Sequence, residues 1–215
     1  ITTSTPAHSA LRTIAPKLRT SVTRSRINTK GGLEFENTAP LPSKLQNSSQ
    51  ADDIQTYLSL IQYSDEALRE LIEHYKSIDE PTMIVFFGDH QPSFASELVK
   101  TYYPDKTTQE QRLIGSATPF IIWTNYNSPS EEDIVVSPSI LGAMVAQQAG
   151  FDLPALPNLI MSRIYPKISV AHEAGVVPRG NDTIYDIDHL PENLQTEWDK
   201  WQKLCYYYLF DFQTQ

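Results

Sequence analysis

Asp89 and His90 stand side by side at the end of an apolar run, in the stretch Thr82-Met83-Ile84-Val85-Phe86-Phe87-Gly88-Asp89-His90-Gln91-Pro92. One carboxylate and one imidazole in adjacent positions bring a hard oxygen donor and a nitrogen donor to the same small volume, which suits a divalent metal site. The plainer alternative is that the pair only caps the run, with Asp89 opening a turn through its carboxylate and His90 solvated or hydrogen-bonded. What separates these readings is the element that carries the pair.

Residues 83–87 are five consecutive apolar side chains, two of them β-branched and two aromatic, which predicts a strand covered on both faces, as in the middle of a parallel sheet. Such strands open their active sites at the carboxyl end, where Gly88 permits a sharp turn and Pro92 blocks simple continuation. Upstream, Asp52 or Asp53 can cap a helix with apolar positions at Ile54, Tyr57, Leu58, Ile61, Leu68, Leu71, Ile72 and Tyr75, a stripe at helical spacing. The turn Asp79-Glu80-Pro81 then feeds the strand. Further on, a short helix over residues 96–102 and a second strand over residues 118–124 are expected. Helices follow over residues 138–149 (closed by Gly150), 156–165 and 191–210, with short strands over 168–177 and 182–187. On a parallel sheet the end of the second strand, Trp123-Thr124-Asn125, would reach the same edge as Asp89 and shape the pocket wall.

The chain has 215 residues, 40% hydrophobic and 20% charged, enough for a real core in one large or two small domains. It opens Ile1-Thr2-Thr3-Ser4, without Met and without a basic and apolar targeting signal, which suggests a fragment or processed product. No run is long and apolar enough for a transmembrane segment. The net charge of −9 conceals an asymmetry: residues 1–30 hold six basic side chains and no acid, leaving 11 basic against 26 acidic residues, or −15, for the remainder. An acidic body is a poor partner for nucleic acid, because phosphate neutralisation needs clustered Lys and Arg. Residues 1–30 read as a basic, disordered tail, residues 31–51 as loop or linker, and residues 52–215 as the folded part. Cys205 lies in an aromatic, helix-like stretch and is expected to be a buried thiol and not a nucleophile.

From about Gly31 onward the chain resembles the lipoteichoic acid synthase-like family of the sulfatase and alkaline phosphatase superfamily. The matching blocks are Tyr57-Leu58-Ser59-Leu60-Ile61, Ser64-Asp65-Glu66-Ala67-Leu68, Asp79-Glu80-Pro81-Thr82, Phe87-Gly88-Asp89-His90-Gln91-Pro92, residues 118–126 and Tyr208-Leu209-Phe210-Asp211, in that order. The resemblance implies an α/β fold: part of an alkaline phosphatase-like (sulfatase) sandwich, a mostly parallel sheet flanked by helices, with a small C-terminal α+β part. It implies the C-terminal part of a catalytic domain acting on phosphate or sulfate esters in cell-envelope polymer synthesis, as a phosphoglycerol transferase or phosphodiesterase. The parent enzyme would sit at the extracellular face of a bacterial cell membrane and use a phospholipid or polymer phosphoglycerol substrate. A divalent metal is implied, Mn2+ first, with Mg2+ or Zn2+ as other choices, and Asp89 and His90 are its ligands by resemblance. A neighbouring group should orient His90 through its other ring nitrogen.

The departures from the family pattern are as informative. The family's threonine nucleophile and its other metal-binding acid lie farther upstream than the 88 residues preceding Asp89, so the catalytic nucleophile is expected to be absent from this chain. Where the family has a substrate-contacting histidine this chain has Lys30, in Thr29-Lys30-Gly31-Gly32, which can meet a phosphate as a point charge or simply be solvated. His8 is a weaker substitute, and His74 and Asp65 are expected on the helix surface. His172, Glu173, Asp182, Asp186, Asp188 and His189 are donor-rich but match no known ligand spacing. The competing expectation is a non-catalytic, truncated relative serving as a binding or interaction module.

Overall fold

A computed structural model of the chain describes residues 37–129, 132–207 and 210; Lys30, His8 and the early threonines lie outside these residues. Helix α1, Ala51–Lys76, is the longest element among the described residues. It begins slightly before the aspartates expected to cap it: Gln50 is the N-cap, and Asp52 and Asp53 fall in the first turn. There their carboxylates face the positive end of the helix dipole instead of closing a cap. Ile54, Leu58 and Leu68 form its buried stripe. Two polar side chains are buried on the same helix because the incoming chain uses them. Ser59 Oγ accepts from Ala39 N at 3.1 Å and donates to the Gln55 carbonyl, and Gln62 Oε1 accepts from Thr38 Oγ1 at 3.2 Å.

Strand β1, Met83–Phe87, and strand β2, Phe120–Thr124, pair with Phe87 opposite Phe120 and Met83 opposite Thr124. The α/β class is as expected, but this pairing is antiparallel, which corrects the mostly parallel sheet expected from the sequence. The connection explains it. Two helices, α2 (Ala95–Tyr102) and α3 (Thr108–Ser116), pack on each other between the strands. One helix leads away from the end of β1 and the next leads back, so β2 starts where β1 stops. Helix α3 adds to the elements expected from the sequence, although its start is written there. Thr107 and Glu110 form a complete capping box, with Glu110 N donating to Thr107 Oγ1 at 3.2 Å and Thr107 N donating to Glu110 Oε2 at 2.8 Å.

The remaining elements build a second unit. Helix α4, Pro138–Gln148, ends at Gly150, whose φ of 77° is left-handed. Helix α5, Ala155–Leu159, runs on into a π-helical turn, Ile160–Ile164. Strands β3, Ile168–His172, and β4, Gly175–Pro178, form an antiparallel hairpin, which Tyr185 extends by one bridge to Val176. Gly175 has φ 148°, and any Cβ there would lie 2.7 Å from the Tyr185 carbonyl oxygen, so only glycine fits. Helix α6, Glu192–Tyr206, starts after Pro191 and packs Leu194 and Trp201 into a core with Ile140, Ile160, Ile164, Ile168 and Val176. Cys205 packs beside this core and burial pushes its thiol pKa up, in agreement with a structural thiol. No described helix is long and apolar enough to cross a membrane.

Candidate functional site at the end of strand β1

The two strands place their ends unequally. Asn125, at the far end of β2, ties down the entry to β1: its Oδ1 accepts from Thr82 N at 2.8 Å, and its Nδ2 lies 3.2, 3.0 and 2.9 Å from the carbonyl oxygens of Tyr75, Ile78 and Glu80. With two N–H bonds for three acceptors, at least one bond is shared. Antiparallel pairing therefore moves Trp123-Thr124-Asn125 to the end opposite Asp89, correcting the expectation that they line the same edge. Residues 117–119, which precede β2, occupy that place instead. Gly88 N donates to the Pro119 carbonyl at 3.0 Å, and a Cβ on Gly88 would sit 3.0 Å from the Thr118 Cβ. The glycine lets two backbones approach closely enough to fasten the strand end.

Beyond Gly88 the two donors converge. Asp89 Oδ1 accepts from the His90 backbone N–H at 2.9 Å, which fixes the carboxylate in a local turn and leaves Oδ2 facing His90 Nε2 at 3.5 Å. The other ring nitrogen, Nδ1, is 2.9 Å from the Gln91 carbonyl oxygen. Two ligand atoms bound to one ion at about 2.1 Å stand roughly 3.0 Å apart in an octahedral arrangement and roughly 3.4 Å apart in a tetrahedral one. The Oδ2 to Nε2 spacing fits two ligands of a single divalent cation. Their side chains are 85% and 79% exposed, so the pair lies open to solvent. Among the described residues no group of three or more His, Cys, Asp or Glu side chains comes together.

Tyr57 is a neighbour that helical spacing assigns to the core alone. Its ring meets Phe94 edge to face at 5.5 Å, and its hydroxyl pKa is raised, first by burial and then by the negative charge of Asp89. No short-range signal joins positions 57 and 89; only the packing of α1 against the loop after β1 does. The other sequence candidates disperse. His74 is exposed on α1 beside Tyr75 and Asp65 is exposed on the same helix. His172 Nδ1 accepts from Ala174 N at 3.0 Å within the hairpin turn, and Glu173 pairs with Arg112 at 2.7 Å. Asp186 caps a short helical turn by accepting from Asp188 N. His172 and Asp186 thus serve turns in their own loops, while Glu173 ties the hairpin turn to α3.

An α/β unit whose strand ends in an exposed Asp-His pair is the class that fold and site define. The Sulfatase family profile matches residues 17–151, which include α1, β1, Asp89, His90, β2 and α4, and the chain belongs to this family. It is 30% identical over 137 residues to a "Putative cyclic beta-1,2-glucan modification protein" of Rhizobium meliloti (strain 1021), covering 61% of this chain and 21% of that protein. It is also 36% identical over 58 residues to the capsular polysaccharide biosynthesis protein RkpI of the same organism, covering 26% of this chain and 10% of that protein. The chain thus spans about a fifth and a tenth of the curated relatives it matches. No solved structure matches it significantly.

Proposed function

We propose that this chain contributes one half of a divalent-metal site to a sulfatase-like transferase or hydrolase that acts on phosphate or sulfate esters during cell-envelope polysaccharide modification. The observation that carries this reading is the convergence of Asp89 Oδ2 and His90 Nε2 at 3.5 Å on the loop after β1, within the segment matched to the Sulfatase family. A bound cation would hold an ester oxygen and give the negative charge of the transition state a fixed partner. Asp89 and His90 would hold it, with Mn2+ as the first choice and Mg2+ or Zn2+ as others. The nucleophile and the remaining ligands come from outside the described residues. The two relatives' names, both concerned with polysaccharide, support an envelope glycan carrying the ester; phosphoglycerol transfer of the lipoteichoic acid synthase kind, at the outer face of the membrane, is the finer reading. Lys30 would serve as a point charge for the anionic substrate.

The test is a Mn2+ titration of the purified chain and of Asp89→Ala, read by electron paramagnetic resonance, together with turnover of a phosphodiester and a sulfate ester. Weak Mn2+ binding that disappears in Asp89→Ala, without turnover, is expected. Binding unchanged in Asp89→Ala would overturn the assignment. The high exposure of the pair favours a second reading, a relative that keeps the fold as a glycan- or protein-binding module. Glycan binding that is indifferent to both Mn2+ and Asp89→Ala would select it.

A further inference from the structure

The loop that carries Asp89 and His90 is fastened at two points to the segment before β2. Gly88 N donates to the Pro119 carbonyl at 3.0 Å, and the Gln91 side-chain Nε2 donates to the Ala117 carbonyl. Between these two fastenings lies His90, whose Nδ1 is 2.9 Å from the Gln91 carbonyl oxygen. A carbonyl oxygen only accepts, so this contact requires the proton on Nδ1; in the neutral ring Nε2 then carries the lone pair, on the side of Asp89 Oδ2. An unconstrained neutral histidine favours the opposite tautomer, with the proton on Nε2.

We propose that Gln91 is the positioning residue of the site. Its side chain anchors to Ala117, the anchor fixes its backbone carbonyl, and the carbonyl holds His90 in the Nδ1–H form with Nε2 available as a donor. Gln91 thus contributes through two groups of one residue, and neither touches the ion. The value of this arrangement to the protein rests on the metal reading above, but the tautomer itself does not, because it belongs to the metal-free chain. Gln91 is half-buried and follows two exposed residues, Asp89 and His90, which fits a residue spent on holding a loop and not on forming core.

The experiment is a long-range nitrogen–proton correlation spectrum of the nitrogen-15-labelled, metal-free chain at a pH above the histidine range. His90 is expected mainly as Nδ1–H in the wild-type chain and mainly as Nε2–H in Gln91→Met, which keeps the length of the side chain and removes its donor. Gln91→Lys restores a donor for the Ala117 carbonyl and is expected to restore Nδ1–H. In a parallel titration, the Mn2+ concentration that broadens the His90 ring signals by half should rise about tenfold in Gln91→Met. A wild-type His90 found as Nε2–H would overturn the proposal whether or not the variants fold. So would a folded Gln91→Met that keeps Nδ1–H, or a Gln91→Lys that behaves like Gln91→Met. Failure of Mn2+ to broaden His90 in the wild-type chain would instead overturn the metal reading, leaving the tautomer result to be judged alone.

Discussion

The two halves of the described chain bury apolar surface in different ways. In the second, Ile140, Ile164, Ile168 and Val176 are fully buried at 0% exposure around Trp201 and Leu194, and helices, turn and hairpin all face one core. In the first, the buried cluster of Ala39, Leu45, Ile54, Leu58 and Phe94 lies under the start of α1, while the strands that carry the site remain partly bare. Phe86, Phe87 and Ile121 are 37%, 59% and 45% exposed, and an apolar groove of 530 Å³ runs between Met83 and Val85 on one side and Val145, Ala149 and Phe151 on the other. The lesson is that β1 and β2 are held in place by directed hydrogen bonds at their ends more than by a closed core. Asn125 does this at one end, and Gly88 and Gln91 at the other.

The contrast can be tested by removing what each half depends on. The largest effect is expected from Ile164→Ala, which empties a fully buried position in the second core and should cost about 3 kcal/mol, read as a lowered denaturation midpoint with an unchanged slope. A cost as small as that of a surface substitution would mean that this core is looser than its burial indicates. Next is Asn125→Ala, which strips the carbonyls of Tyr75, Ile78 and Glu80 and the Thr82 N–H of their shared partner. A loss of about 2 kcal/mol is expected, with amide exchange accelerated along β1 and β2 but not in the β3–β4 hairpin. Uniform acceleration in both halves would break the distinction between them. The smallest effect on stability belongs to Phe87→Ser: a change within about 0.5 kcal/mol, accompanied by less self-association in sedimentation, because an exposed apolar strand is a template for pairing. A strongly destabilised Phe87→Ser variant would show that Phe87 packs in solution.

Several features are legible in the sequence for direct physical reasons. The helical stripe from Ile54 to Tyr75 announces α1, the five apolar residues before Gly88 announce β1, and Pro191 followed by Trp198 and Trp201 announces α6. Helix α3 was equally legible, since Thr107 and Glu110 stand three apart at its start, but its polar face hides the apolar spacing. The strand pattern was misleading in one respect. An unbroken apolar run predicts cover on both faces, whereas among the described residues one end of β1 stays exposed. Composition records how much burial a strand is suited to, and it does not record which segment supplies the cover.

The sequence by itself determined the donor pair, the glycine that lets the loop approach Thr118, the family blocks around them and the identity of most elements, because these depend on side-chain chemistry and on spacing within one helix or strand. Only the tertiary structure decided the rest. Strand direction followed from two helices turning the chain back on itself, so that residues 117–119, and not residues 123–125, came to border the site. The anchoring of Gln91 to Ala117, 26 positions further on, followed from how the segment before β2 returns to the loop, and the neighbourhood of Tyr57 and Asp89 from how α1 lies on the loop. Each of these is a relation between residues far apart along the chain, or a direction in space, and no local pattern of residue types encodes either.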